Sequence, residues 1–152
     1  TSIPAVKAAL HRGRARLRQL GDQPAGHPLP VLSPQLRSLL AAYVDRFNER
    51  DFDAIRDMLA DEVRLDLVSR ARMHGRTEVG TYLHNYSQTN DWQFALGAVE
   101  GRPAALVSDP RNESTVPLYF VLLDWNGDKL RNIRDFRYAR YAIEGAEFTT
   151  QV

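Results

Sequence analysis

Tyr43-Val44-Asp45-Arg46-Phe47-Asn48-Glu49-Arg50-Asp51-Phe52-Asp53-Ala54-Ile55-Arg56-Asp57-Met58-Leu59-Ala60-Asp61-Glu62-Val63 is the stretch that decides the fold. It closes one amphipathic helix, forms a second and hands the chain to a strand. Upstream, Leu36, Leu39, Leu40, Tyr43, Val44 and Phe47 recur at steps of three and four, which makes one buried helical stripe. Ser33 is placed to cap that helix, with Pro34 in its first turn. Asp51 caps the shorter second helix, which carries Phe52, Ile55 and Leu59 and ends at Asp61-Glu62. Val63, Leu65 and Leu67 then alternate as a strand. Residues 69–76 are Arg-rich and read as irregular. Val79, Tyr82, Leu83 and Tyr86 share one face of a third helix. Strand-like segments follow at Trp92–Val99, Pro103–Val107, Val116–Trp125 and Leu130–Tyr141, the last two joined by an Asn126-Gly127 hairpin turn. Three helices followed by several long strands predict an α+β domain, its helices packed on one face of a curved antiparallel sheet.

The remaining sequence bounds what such a domain does. At 152 residues, 43% hydrophobic and 26% charged, the chain suits one well-cored soluble domain plus a short extra element. No apolar run approaches membrane-spanning length, so no membrane is expected. Cysteine is absent, which excludes disulfides and thiolate metal sites and fits a cytoplasmic protein. Metal-type His spacing, a Gly-rich phosphate loop and a Gly-x-Ser-x-Gly elbow are also missing, so neither a metal nor a cofactor is expected.

The net charge of +1 hides an asymmetry. The first 21 residues hold five Lys and Arg and no acid, whereas residues 22–152 hold 15 basic against 19 acidic side chains. Val6, Leu10 and Leu17 fall at helical spacing within this basic head. A cationic segment of this kind suggests contact with nucleic acid. Residues 21–33 contain three Pro and two Gly and read as a linker. The expected organisation is a basic helix over residues 1–20, a linker over 21–33, the main domain over 34–142 and a tail over 143–152.

Two resemblances follow from these residues. Ala5-Val6-Lys7, Leu10-His11-Arg12-Gly13-Arg14 and Leu17 resemble the end of region 4 of an extracytoplasmic-function sigma factor of the sigma-70 family. There the element is the recognition helix of a helix-turn-helix. Tyr43-Val44, Phe47-Asn48, Asp51-Phe52-Asp53-Ala54-Ile55, Leu59-Ala60-Asp61-Glu62-Val63 and His74-Gly75-Arg76 resemble the SnoaL-like family, within the NTF2-like (cystatin-like) superfamily that includes ketosteroid isomerase and polyketide cyclases. The second resemblance implies a cone around an apolar pocket. Together they imply a C-terminal fragment of a sigma factor whose SnoaL-like domain regulates promoter-specific initiation, with promoter DNA and core RNA polymerase as partners of the full-length protein. The linker would keep the domain at high effective concentration beside the DNA-binding region.

The first resemblance implies DNA contacts from Ser2, Lys7, His11, Arg12, Arg14 and Arg16. The second, with the domain's many aromatics, implies a pocket lined by Tyr43, Asp66, Tyr82, Trp92, Tyr119 and Asp135, with Asp135 or Arg137 as a polar anchor for a small apolar ligand. The Tyr43 and Asp66 spacing is similar to that of the isomerase branch, where the Tyr stabilises an oxyanion and the Asp moves a proton. In a small isomerase or cyclase, the alternative reading, Asp66, Tyr43 and His84 would be the catalytic candidates. The acid that this branch carries on a later strand falls near Phe120-Val121, so the set is incomplete and a non-catalytic module is the expectation. Alternation also puts Asp66 on the strand face opposite Leu65 and Leu67. The open sheet face is a candidate for homodimerisation.

Overall fold

The computed structural model describes residues 33–112 and 116–150. The basic helix, its six DNA-contact candidates and residues 21–32 of the linker lie outside the described residues. The elements run in the order α1 (Pro34–Asn48), α2 (Phe52–Met58), β1 (Leu59–Leu67), β2 (Ala71–His74), α3 (Arg76–Ser87), β3 (Gln93–Val99), β4 (Arg102–Ser108), β5 (Tyr119–Asn126), β6 (Lys129–Asp135), α4 (Tyr141–Glu144) and β7 (Phe148–Thr149).

Local chemistry sets the helix ends. The Ser33 hydroxyl accepts the Leu36 N–H at 3.1 Å, and the Asp51 carboxylate accepts that of Ala54 at 3.2 Å. Between these helices Arg50 takes a left-handed conformation, φ 62°. That turn aims its guanidinium at the end of α3, where it donates to the Ser87 and Thr89 carbonyls and lies over the Trp92 ring. Asn48 ties the end of α1 to β3 by pairing its side-chain amide with both backbone groups of Phe94, each at 2.8 Å. One polar side chain thus stands in for a neighbouring strand and fixes how α1 lies across the sheet.

The seven strands form one sheet in the order β2-β1-β6-β5-β4-β3-β7. The expected antiparallel sheet is in fact mixed. β1 and β6 pair parallel, with Leu65 opposite Ile133 and Leu67 opposite Asp135. These strands are far apart in sequence and meet in mid-sheet, a pairing that alternation along either strand does not encode. Register shifts in the β1–β6 and β5–β6 pairs mark irregularities of the kind that bend a sheet. The Arg-rich segment read as irregular contains β2, an edge strand whose side chains are exposed or half-buried. It lacks an alternating pattern because neither of its faces is fully covered. Strand β1 begins at Leu59, two residues before the expected end of the second helix. The segment read as a tail contributes Ile143 to a buried cluster and β7 to the sheet, beside β3. Gly97 permits this closure, because a Cβ there would collide with the Leu106 side chain and the Thr149 carbonyl.

Two apolar layers result. The concave layer lies between helices and sheet and centres on Phe47, which stacks on Phe94 at 4.2 Å and meets Phe52, Tyr86 and Trp92 edge-on. The smaller convex layer joins Val99, Leu106, Phe120 and Leu122 to Ala142 and Ile143. No helix among the described residues is long and apolar enough to cross a membrane.

Candidate functional site

Tyr82 and Tyr86 sit one turn apart on α3, so both project from the same face. Strand β6 ends opposite them at Asp135, a fully buried charged residue. Tyr82 and Tyr86 donate to the same Asp135 oxygen, Oδ2, at 2.6 and 2.7 Å. The backbone N–H of Arg137 supplies Oδ1 at 2.8 Å. Tyr119, on β5, meets the Tyr86 hydroxyl at 2.9 Å and accepts from Arg137 Nη1 at 3.1 Å. Nη2 of Arg137 contacts both Asp91 oxygens, at 3.0 and 2.8 Å. Arg137 also lies against the Tyr86 and Tyr119 rings.

This is a connected polar network in an apolar setting, and burial dominates its electrostatics. Burial pushes the Asp135 carboxyl above the ordinary 3.8, with the hydrogen bonds and the Arg137 charge offsetting part of the rise. Burial and the facing Asp135 charge push the Tyr82, Tyr86 and Tyr43 hydroxyls well above 10.0. The same two causes lift Tyr119 to about 12. Burial raises Asp91 too, but its hydrogen bonds and ion pair with Arg137 outweigh that and hold it below 3.8.

Tyr82, Tyr86 and Arg137 of this network form one wall of a cavity of about 170 Å³. Leu67, Met73 and Tyr138 supply its apolar side, and Tyr82, Tyr86, Asn85, Thr89 and Arg137 its polar side. Two further hollows differ in character. One, between α1 and the β4–β5 region, is mainly apolar and holds no buried ionisable group. The other is an open groove over Arg56, Arg76, Thr77 and His84 on the outside of α3.

The structure divides the sequence candidates. It places Tyr82 in the cavity wall, with Asp135 and Tyr119 in the network behind it. Trp92 is buried, and its Nε1 donates to the Tyr86 carbonyl and the Thr89 hydroxyl, so it braces the end of α3 rather than lining the cavity. Tyr43 is fully buried in the core and does not line the cavity either. Its hydroxyl makes no well-aligned hydrogen bond, although that of Tyr82 is near enough to temper its upward shift.

Asp66 requires a correction, because it is not a cavity residue. It faces away from buried Leu65 and Leu67, with Arg72 and Arg134 as its cross-strand neighbours. His84 is exposed and belongs to the groove outside α3. His74 is exposed on β2. Sequence reasoning missed Asp91, Asn85, Thr89 and Met73. Asp91 lies 46 residues from Arg137, and only the fold pairs them. Among the described residues, no three His, Cys, Asp or Glu side chains gather as a metal would need.

No protein-family model matches the chain, and no curated protein matches it significantly. Solved structures do match. Bal32a, from a soil-derived mobile gene cassette, aligns with a TM-score of 0.55 at 14% identity, over 71% of this chain and 92% of its own. A polyketide cyclase candidate from Xanthomonas campestris pv. campestris aligns at 0.51 and 20% identity, over 66% and 88%. A ketosteroid isomerase candidate from Kribbella flavida aligns at 0.50 and 20%, over 66% and 76%. The fold is therefore the NTF2-like, SnoaL-like cone: helices packed on a curved mixed sheet of seven strands.

Proposed function

We propose that the domain is a small-molecule site of the isomerase or cyclase type. A compact, largely apolar ligand enters the cavity and sets its polar group against Tyr82, and Asp135 draws a proton from it through that hydroxyl. One observation carries this reading: a fully buried carboxylate held by two tyrosines directly behind the cavity wall. Burying a carboxylate costs several kcal/mol unless it is well bonded, and perturbed acids beside a cavity cluster at functional sites.

The chemistry follows from the bonds. An acidic ligand proton passes to the Tyr82 oxygen as the Tyr82 proton passes to Asp135 Oδ2. The ligand is left as its conjugate base and the carboxylate becomes a carboxylic acid. Burial favours this direction, because it makes Asp135 a stronger base than an exposed aspartate. The candidate isomerase and cyclase among the structural neighbours support this class of reaction. The test is a substrate screen followed by D135N and Y82F. Each is expected to lower turnover by about a hundredfold or more, within the usual range for a positioned base. Unchanged turnover in both folded variants would remove the reading.

The basic head favours a second reading, in which the same cavity is the regulatory input of a cytoplasmic sigma factor. Its partners would be promoter DNA and core RNA polymerase, with the outer sheet face as a dimer contact. In-vitro transcription by the full-length parent, intact and truncated after Leu32, tests it. An unaltered promoter output would remove it.

A further inference from the structure

A proton count around Asp135 assigns the hydrogen-bonding sense of the cavity. An ionised carboxylate only accepts, and a tyrosine hydroxyl has a single proton. Tyr82 and Tyr86 have both committed theirs to Asp135 Oδ2. Tyr86 can therefore only accept from Tyr119, and Tyr119 in turn accepts from Arg137. The protons of Tyr82, Tyr86 and Tyr119 thus all run toward Asp135. What Tyr82 offers the cavity is a lone pair.

Asn85 also lines the cavity, but its amide both donates and accepts and so sets no sense of its own. The remaining polar wall groups do not reverse this. The Thr89 hydroxyl donates to the Tyr86 carbonyl. Both terminal nitrogens of Arg137 are engaged, by Tyr119 and by Asp91. Asp91, Arg137 and Asp135 together carry one net negative charge. This arrangement is the reverse of an oxyanion hole, whose donors must be free to face the ligand.

We infer that the cavity selects neutral ligands that donate a hydrogen bond to Tyr82, of the phenol or alcohol class, over carbonyl acceptors and over carboxylates. This inference rests on the proposed small-molecule site and names its ligand class.

The experiment is an NMR titration of the full 152-residue chain with three probes of similar size: phenol, cyclohexanone and benzoate. Phenol is expected to bind about tenfold tighter than cyclohexanone, the equivalent of one hydrogen bond, with shifts at Asn85, Thr89 and Tyr138. Benzoate is expected to bind more weakly than either.

D135N inverts the wiring. The Arg137 N–H still demands the carbonyl oxygen, so the new amide faces the tyrosines and donates to them. A tyrosine proton is thereby freed toward the cavity, and cyclohexanone is expected to overtake phenol. Y82F keeps Asp135 bonded to Tyr86 and Arg137 but removes the lone pair, so the preference for phenol is expected to vanish. Cyclohexanone or benzoate matching phenol on the native chain would overturn the inference and leave the site standing. An unchanged order in folded D135N, or in Y82F should D135N fail to fold, would do the same. Failure of all three probes to shift these residues would overturn the site reading itself.

Discussion

Asp66 and Asp135 lie on paired strands, one step apart in register, and have opposite fates. Asp66 is opposite Arg134, on the outer face, between two arginines and within reach of water. Asp135 is opposite Leu67, on the inner face, and is fully buried under two tyrosines. The same side chain is half-exposed in one place and a buried, hydrogen-bonded carboxyl in the other. Placement relative to the pleat decides which, because successive residues of a strand point to opposite faces.

The largest difference is expected in stability. D135A leaves two buried hydroxyls without their acceptor and should cost about 2–4 kcal/mol in urea unfolding, since each unmet buried donor costs about 1–3. D66A should stay within about 0.5 kcal/mol, as a substitution on the outer strand face that leaves no buried group unmet. Equal losses would erase the contrast. Removing Asp91 probes the same network from its rim. Arg137 is then left mostly buried without its carboxylate, and D91A should cost about 1–3 kcal/mol. A loss no larger than that of D66A would show that the Asp91 pair holds nothing in place.

The pH response differs in kind. Tyr119 ionises at about 12 in the fold against an ordinary 10.0, so above 10 the native state holds a proton that the unfolded chain gives up. Stability is then fully present below pH 10 and falls as pH rises toward 12. Absorbance titration against denaturant should show this, and Y119F should make the decline shallower, with Tyr43, Tyr82 and Tyr86 supplying the rest. Asp135 acts at acid pH. Its raised value means that stability declines as pH climbs through the interval above 3.8. Asp91 acts in the opposite sense, losing its contribution as pH drops below 3.8. Comparing the acid limbs of D135N and D91A should separate the two signs.

Much of the fold was legible because it is encoded locally. The caps at Ser33 and Asp51 and the stripe from Leu40 to Phe47 stand as the spacing indicates. Pairings between distant strands have no such local record, and the parallel β1–β6 contact turned an expected antiparallel sheet into a mixed one. The site divides in the same way. Tyr82 and Tyr86 could be read as one helical face and Asp135 as a polar residue among aromatics. Asp66 was misplaced because a family spacing was given more weight than its own alternation with Leu65 and Leu67. The pairing of Asp91 with Arg137 exists only once the β3 and β6 ends are brought together.

The most direct test of the central claim labels the aspartate carboxyl carbons and follows them by NMR while phenol is added. Asp135 is expected to titrate above 3.8 and to move saturably with phenol while Asp66 stays still. Movement of Asp66 with Asp135 unchanged, or an Asp135 that titrates at or below 3.8, would contradict the account.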